Sequence, residues 1–197
     1  MQDIKQDIKF KFGIAGFLFY LVLLPGFLFS GDVRNRPLDM YLVIDGSSHL
    51  EGAKDEALGW ISAELVDSVL QEGDRLTIWS AGEKAGIIFQ ETLGASGKDA
   101  IKEKLKALDT KAAFPDFSGA LRDAARVRAR QSAEGRISYT LLVSGTAGGL
   151  GASLSGAELD LIRYSRVEEF KGWRTLVVAP DIEARVKQSA AAFTAGR

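Results

Sequence analysis

The run Asp39-Met40-Tyr41-Leu42-Val43-Ile44-Asp45 sets five apolar residues between two aspartates. A strand with one wet face carries a polar residue at every second position. This run carries none between its ends, the pattern of a strand covered on both faces at the centre of a sheet. Downstream, Leu58, Ile61, Leu65 and Val69 recur every three or four residues, predicting an amphipathic helix over Lys54–Gln71 that Gly73 ends. Arg75–Ser80 reads as a second strand. Ala81-Gly82-Glu83-Lys84 turns the chain into a third, Gly86–Leu93, which so short a connection makes antiparallel and places at the edge. Ile101, Leu105 and Leu108 mark a short helix, and Ser118–Gln131 a longer one with Leu121, Ala124 and Ala125 inward. Ile137–Ser144 is a fourth strand. A helix holding Leu159, Ile162 and Phe170, a strand Thr175–Ala179 and a last helix with Ile182, Val186, Ala190 and Phe193 complete the expectation. Strands alternating with helices predict a mostly parallel sheet covered on both faces.

Composition narrows the chemistry. The 197 residues hold no Cys and a single His, which excludes disulfides, thiolate metal sites and multi-His centres. A formal charge of −1 gives no global field for nucleic acid. The mean hydropathy of +0.02 averages two unlike pieces. Phe12 to Phe29 is eighteen residues without a charge, enough to cross a hydrocarbon core of about 30 Å. Lys5, Lys9 and Lys11 precede it, and Arg34 and Arg36 follow, favouring a cytoplasmic N-terminus and an extracytoplasmic domain. A cleaved signal peptide and an interfacial helix are the alternatives, although Leu28-Phe29-Ser30 is a poor cleavage site. The expected layout is a tail at 1–11, a transmembrane anchor at 12–30, a linker at 31–37 and a domain at 38–197. Without residues 1–31, which hold three lysines and two aspartates, 22 basic residues face 24 acidic ones, a mildly acidic domain.

In doubly wound sheets the binding crevice lies beyond the carboxyl ends of the strands, which directs attention to three loops: the first after Ile44, the second before Leu121 and the third after Leu142. The first is Asp45-Gly46-Ser47-Ser48-His49. A carboxylate followed by a hydroxyl two residues on can help wrap Mg²⁺; equally, Asp45 and Ser47 can cap the next helix. Gly145-Thr146-Ala147-Gly148-Gly149-Leu150-Gly151 has the glycine content of a phosphate cradle but lacks a P-loop lysine, and otherwise reads as a surface loop. Ser47 and His49 have no orienting acid in view for a triad. Arg122, Arg126 and Arg130 form a stripe, with Arg128 and Arg136 nearby; a solvated face, anionic lipid headgroups or an acidic partner would each suit it. Trp60, Trp79 and Trp173 fall within expected elements and read as core.

The strand ending in Asp-x-Ser, the antiparallel third strand and the order of elements resemble a von Willebrand factor type A domain over about Leu38 to Arg197. The resemblance implies a Rossmann-like doubly wound fold and a metal-ion-dependent adhesion site that binds protein ligands. Asp45 and Ser47 match the first two residues of that family's Asp-x-Ser-x-Ser motif, and His49 stands at the third. In Phe114-Pro115-Asp116-Phe117-Ser118, Pro115 holds the place of the family's Thr. In Leu141-Leu142-Val143-Ser144-Gly145, Gly145 holds that of the Asp. With so many ligands replaced, no metal is expected; any residual Mg²⁺ would rest on Asp45, Ser47 and Asp116. The expected function is a membrane-anchored, non-catalytic interaction or scaffold module in an envelope complex, touching another protein through Asp45, Ser47, Ser48, His49, Pro115, Asp116, Ser118, Ser144 and Gly145. The alternative is a Mg²⁺-dependent adhesion receptor.

Overall fold

A computed structural model describes residues 36–131, 135–147, 150, 154 and 166–178. The expected anchor, Phe12 to Phe29, lies outside them, as do Leu159, Ile162, Ala179 and the expected last helix. Among the described residues no helix is long and apolar enough to cross a membrane.

The elements follow as β1 (Leu38–Asp45), α1 (Ser48–Glu51), α2 (Lys54–Trp60) continuing into a π-helical stretch (Ile61–Val69), β2 (Arg75–Ala81), β3 (Ala85–Thr92), α3 (Gly97–Lys106), α4 (Phe117–Gln131), β4 (Ile137–Gly145), β5 (Arg166–Glu169) and β6 (Trp173–Val178). One sheet runs β3-β2-β1-β4-β6-β5. β1 pairs in parallel with β2 and β4, so the order reverses at β1 and the switch point lies between β1 and β4. All eight residues of β1 are buried. Alternation then divides them: Leu38, Met40, Leu42 and Ile44 join the core beneath the first helices, and Tyr41 and Val43 join the core beneath α4. Trp79 and Trp173 are buried, and Trp60 is half-buried against the first core.

β3 is the expected antiparallel edge. A second reversed strand was not expected. β6 runs antiparallel to β4 and β5 antiparallel to β6, so four of the six strands share one direction. Phe170 is not helical: it precedes a two-residue turn, Lys171-Gly172, and its N–H donates to the Trp173 carbonyl at 2.9 Å. Gly172 sits at φ +90, which a side chain rarely tolerates, and that freedom closes the hairpin where helical spacing suggested continuation. Phe170 then stacks on Trp173, with ring centroids 4.0 Å apart. Ala125, expected inward, is exposed on α4, because the inward stripe is Phe117, Ala120, Leu121, Ala124 and Val127.

Candidate functional site

The carboxyl end of β1 brings the first and third loops together. Asp45 is 1% exposed, and Ser47 and Ser144 are buried. Asp45 Oδ1 accepts from the Ser47 amide at 2.8 Å and from Ser47 Oγ at 2.6 Å. Asp45 Oδ2 accepts from the Gly145 amide at 3.0 Å, tying β1 to β4 across the switch point. Ser47 in turn is the N-cap of α1, its Oγ accepting from the His49 amide at 3.3 Å. The two aspects of the first loop, cap and carboxylate, are one hydrogen-bonded chain. A cation at Asp45 would compete with three protein donors.

Gly145 explains the closure. A Cβ there would collide with the backbone carbonyl of His49 and come within 2.8 Å of the Leu50 amide nitrogen. The first turn of α1 therefore lies in the volume that any side chain at position 145 would enter. Ser144 Oγ donates to the Gly145 carbonyl at 2.9 Å and so also serves the backbone.

The second loop is docked to the first by main chain: Ser48 N–H donates to the Ala112 carbonyl at 2.8 Å, and Ala112 N–H to the Gly46 carbonyl at 3.3 Å. Asp116 precedes α4 and caps it, Oδ1 accepting from the Gly119 amide at 2.8 Å and Oδ2 from the Ala85 amide at 3.3 Å. Its carboxylate lies where a Cβ on residue 119 would stand, so Gly119 is what lets this cap close. Pro115 is buried, Ser118 half-buried and Ser48 exposed. The side chain that this end presents outward is Phe114, 71% exposed, with its ring edge-on to His49 at a centroid distance of 6.0 Å. Of the glycine-rich third loop only Gly145, Thr146, Ala147 and Leu150 are described. Among the described residues no three His, Asp or Glu side chains group to hold a metal ion.

Sequence reasoning missed two features. An open cleft of about 380 Å³ lies beside the site, with Gly46, Ser80, Gly82, Lys84, Ile87 and Lys111 among its walls. Three glycine positions on neighbouring strand ends were its only signal. The other feature is the charged cluster at the opposite end of β1. Buried Asp39 Oδ1 meets Arg75 Nε at 2.9 Å and Arg136 Nε at 2.6 Å. Arg136 also donates to the carbonyls of Leu38 and Gly73, at 2.9 and 3.0 Å.

No family profile matches the chain, and no curated protein matches it. Solved structures similar to it include von Willebrand factor type A from Catenulispora acidiphila, at 13% identity and a TM-score of 0.44 over 52% of this chain and 25% of that one. The three N-terminal domains of the type V pili tip protein Mfa5 from Porphyromonas gingivalis match at 17% identity and 0.40, over 59% of this chain and 22% of that one. Proximal thread matrix protein 1 from the mussel byssus matches at 18% and 0.45, over 62% and 33%. The chain thus spans at most a third of each of these three structures.

Proposed function

We propose that this protein is a membrane-anchored, non-catalytic interaction or scaffold module that meets a protein partner through the loops at the carboxyl end of its sheet, without a metal ion. The observation that carries this reading is the closure of the switch point. His49 backbone fills the space over Gly145, and both oxygens of Asp45 already accept protein hydrogen bonds. The residues present are a poor seat for Mg²⁺, which keeps several waters but takes one or two carboxylates from the protein, because both oxygens of Asp45 are engaged. What remains for recognition is shape and apolar contact, and Phe114 supplies an exposed aromatic ring of the kind that anchors protein interfaces. The anchor rests on the uncharged stretch Phe12 to Phe29.

A photocrosslinking phenylalanine analogue at position 114 of the full chain, in native membranes, tests the reading. A discrete protein adduct is expected, unchanged by EDTA and absent when the analogue replaces Glu103 on α3. An adduct that EDTA abolishes and Mg²⁺ restores, together with calorimetric Mg²⁺ binding lost in Asp45→Ala, would establish the metal-dependent alternative instead.

A further inference from the structure

Helix α4 turns its apolar stripe into the core and leaves Arg122, Ala125, Arg126, Ala129 and Arg130 exposed. Those five positions share one helix face, along which three guanidinium groups span about 12 Å. The exposed residues between them are alanines, so the face carries no bulky apolar side chain, and half-buried Asp123 stands at its border. The helix has one acid, Asp123, and it is engaged inward, accepting from Trp79 Nε1 at 2.9 Å. Arg126 approaches Asp123 only to 3.9 Å. Among the described residues no carboxylate pairs with Arg122 or Arg130. Like charges four residues apart disfavour a helix; the C-terminal dipole favours Arg130 and Asp123 lies beside Arg126, but neither accounts for Arg122.

The composition of the face selects its occupant. Arginines at protein interfaces act beside tryptophan and tyrosine anchors in packed pockets, and the exposed large hydrophobics Ile87, Phe114, Tyr139 and Val167 all lie off this helix. An array of guanidiniums, each able to take a phosphate in bidentate fashion, suits an anionic headgroup layer. The stripe also ends near the point where the chain enters the sheet. Arg75 Nη1 donates to the carbonyl of Gln131, the last residue of α4, at 3.2 Å, while its Nε holds Asp39 of β1. Pro37, just before β1, accepts from the Ile137 amide at 3.0 Å. A linker over 31–37 reaches less than about 25 Å even when extended.

We infer that Arg122, Arg126 and Arg130 form a docking face for the phosphates of anionic lipid headgroups. The inference takes its tether from the anchor proposed above. The full chain, free of Cys, is given one fluorophore through Ala129→Cys, or through Ser48→Cys at the opposite end, and placed in nanodiscs containing a nitroxide-headgroup quencher. Quenching at 129 is expected with phosphatidylglycerol present, but neither in pure phosphatidylcholine nor at 48. High salt should abolish it, and R122Q/R126Q/R130Q should lower the docked-to-undocked ratio roughly five-fold per arginine, about a hundred-fold in all. Salt reads the charge dependence without altering the fold. Quenching that is equal in both lipids, equal at both positions or retained in the triple variant overturns the inference. So does its absence in the charged lipid, the result expected if the stripe serves an acidic protein. A chain that nanodiscs do not retain breaks the anchor reading instead. Flotation with the same lipids then reads the stripe directly: arginine-dependent flotation with phosphatidylglycerol supports it, and none overturns it.

Discussion

The two ends of β1 bury carboxylates by opposite means. Asp39 and Asp45 are 2% and 1% exposed on the same strand, six positions apart. Asp39 is neutralised by two guanidiniums, from Arg75 at the start of β2 and Arg136 just before β4. Asp45 accepts instead from two amides and a hydroxyl, all neutral donors. The first arrangement fastens three chain segments separated by 36 and 97 positions. The second closes a crevice. A buried charge met by opposite charge is a structural clamp, whereas the buried carboxylate at the carboxyl end of β1 is held by neutral donors and ties β1 to β4.

The largest expected effect breaks the clamp. Asp39→Ala strands two partly buried guanidiniums and should cost about 3–5 kcal/mol, read as a fall in the urea midpoint. Lys106→Ala, which removes the exposed pair with Glu103, should leave the urea midpoint essentially where it is. A loss at Asp39 no larger than at Lys106 would dismiss the clamp. The next effect tests the closed crevice. Gly145→Ala places a methyl against the His49 carbonyl and should cost about 1–3 kcal/mol through backbone displacement, with faster amide exchange at Leu50. Unchanged melting and exchange would mean that α1 does not sit over Gly145 in solution.

The central strand was legible because burial on both faces removes every polar residue between its ends. The helices were legible because each presents an apolar stripe at 3.6 spacing, although at Ala125 the stripe was drawn one residue too wide. The β5–β6 hairpin was hidden: Arg166-Val167-Glu168-Glu169 is mostly polar, and its one turn signal, Lys171-Gly172, sat inside a helical spacing. At the site, the sequence displays Pro115 and Gly145 where the resemblance leads one to expect Thr and Asp. It does not display what fills their place, because a glycine records only that something comes close. The Asp39 cluster depended on strand register, which sets Asp39 opposite Arg75. An aspartate near the start of a central strand and arginines at the mouths of two others were its visible trace.

The smallest effect sharpens the contrast by pH. Tyr41 is buried, and its phenol pKa is raised above 10.0, first by burial and then by the charge of Asp39, while Arg75, Arg128 and Arg136 pull the other way. Below that value the phenol is protonated in both folded and unfolded chains, and its burial carries no titration penalty. Above it the unfolded chain loses its proton first, so stability falls as pH rises through the native value. Tyr41→Phe should remove that alkaline loss. It keeps the ring that packs 6.3 Å from Trp79 and deletes a buried hydroxyl lacking a hydrogen-bond partner, so stability near neutrality should hold or rise slightly. Urea midpoints of the two chains should agree up to about pH 9 and diverge above the phenol's ordinary value. Asp39→Asn should narrow that divergence, since it removes the charge that assists burial, whereas Asp45→Asn at the other end should leave it unchanged. Parallel curves for wild type and Tyr41→Phe would show that the phenol titrates as it does in water, and that the charged end of β1 is less closed than the site end.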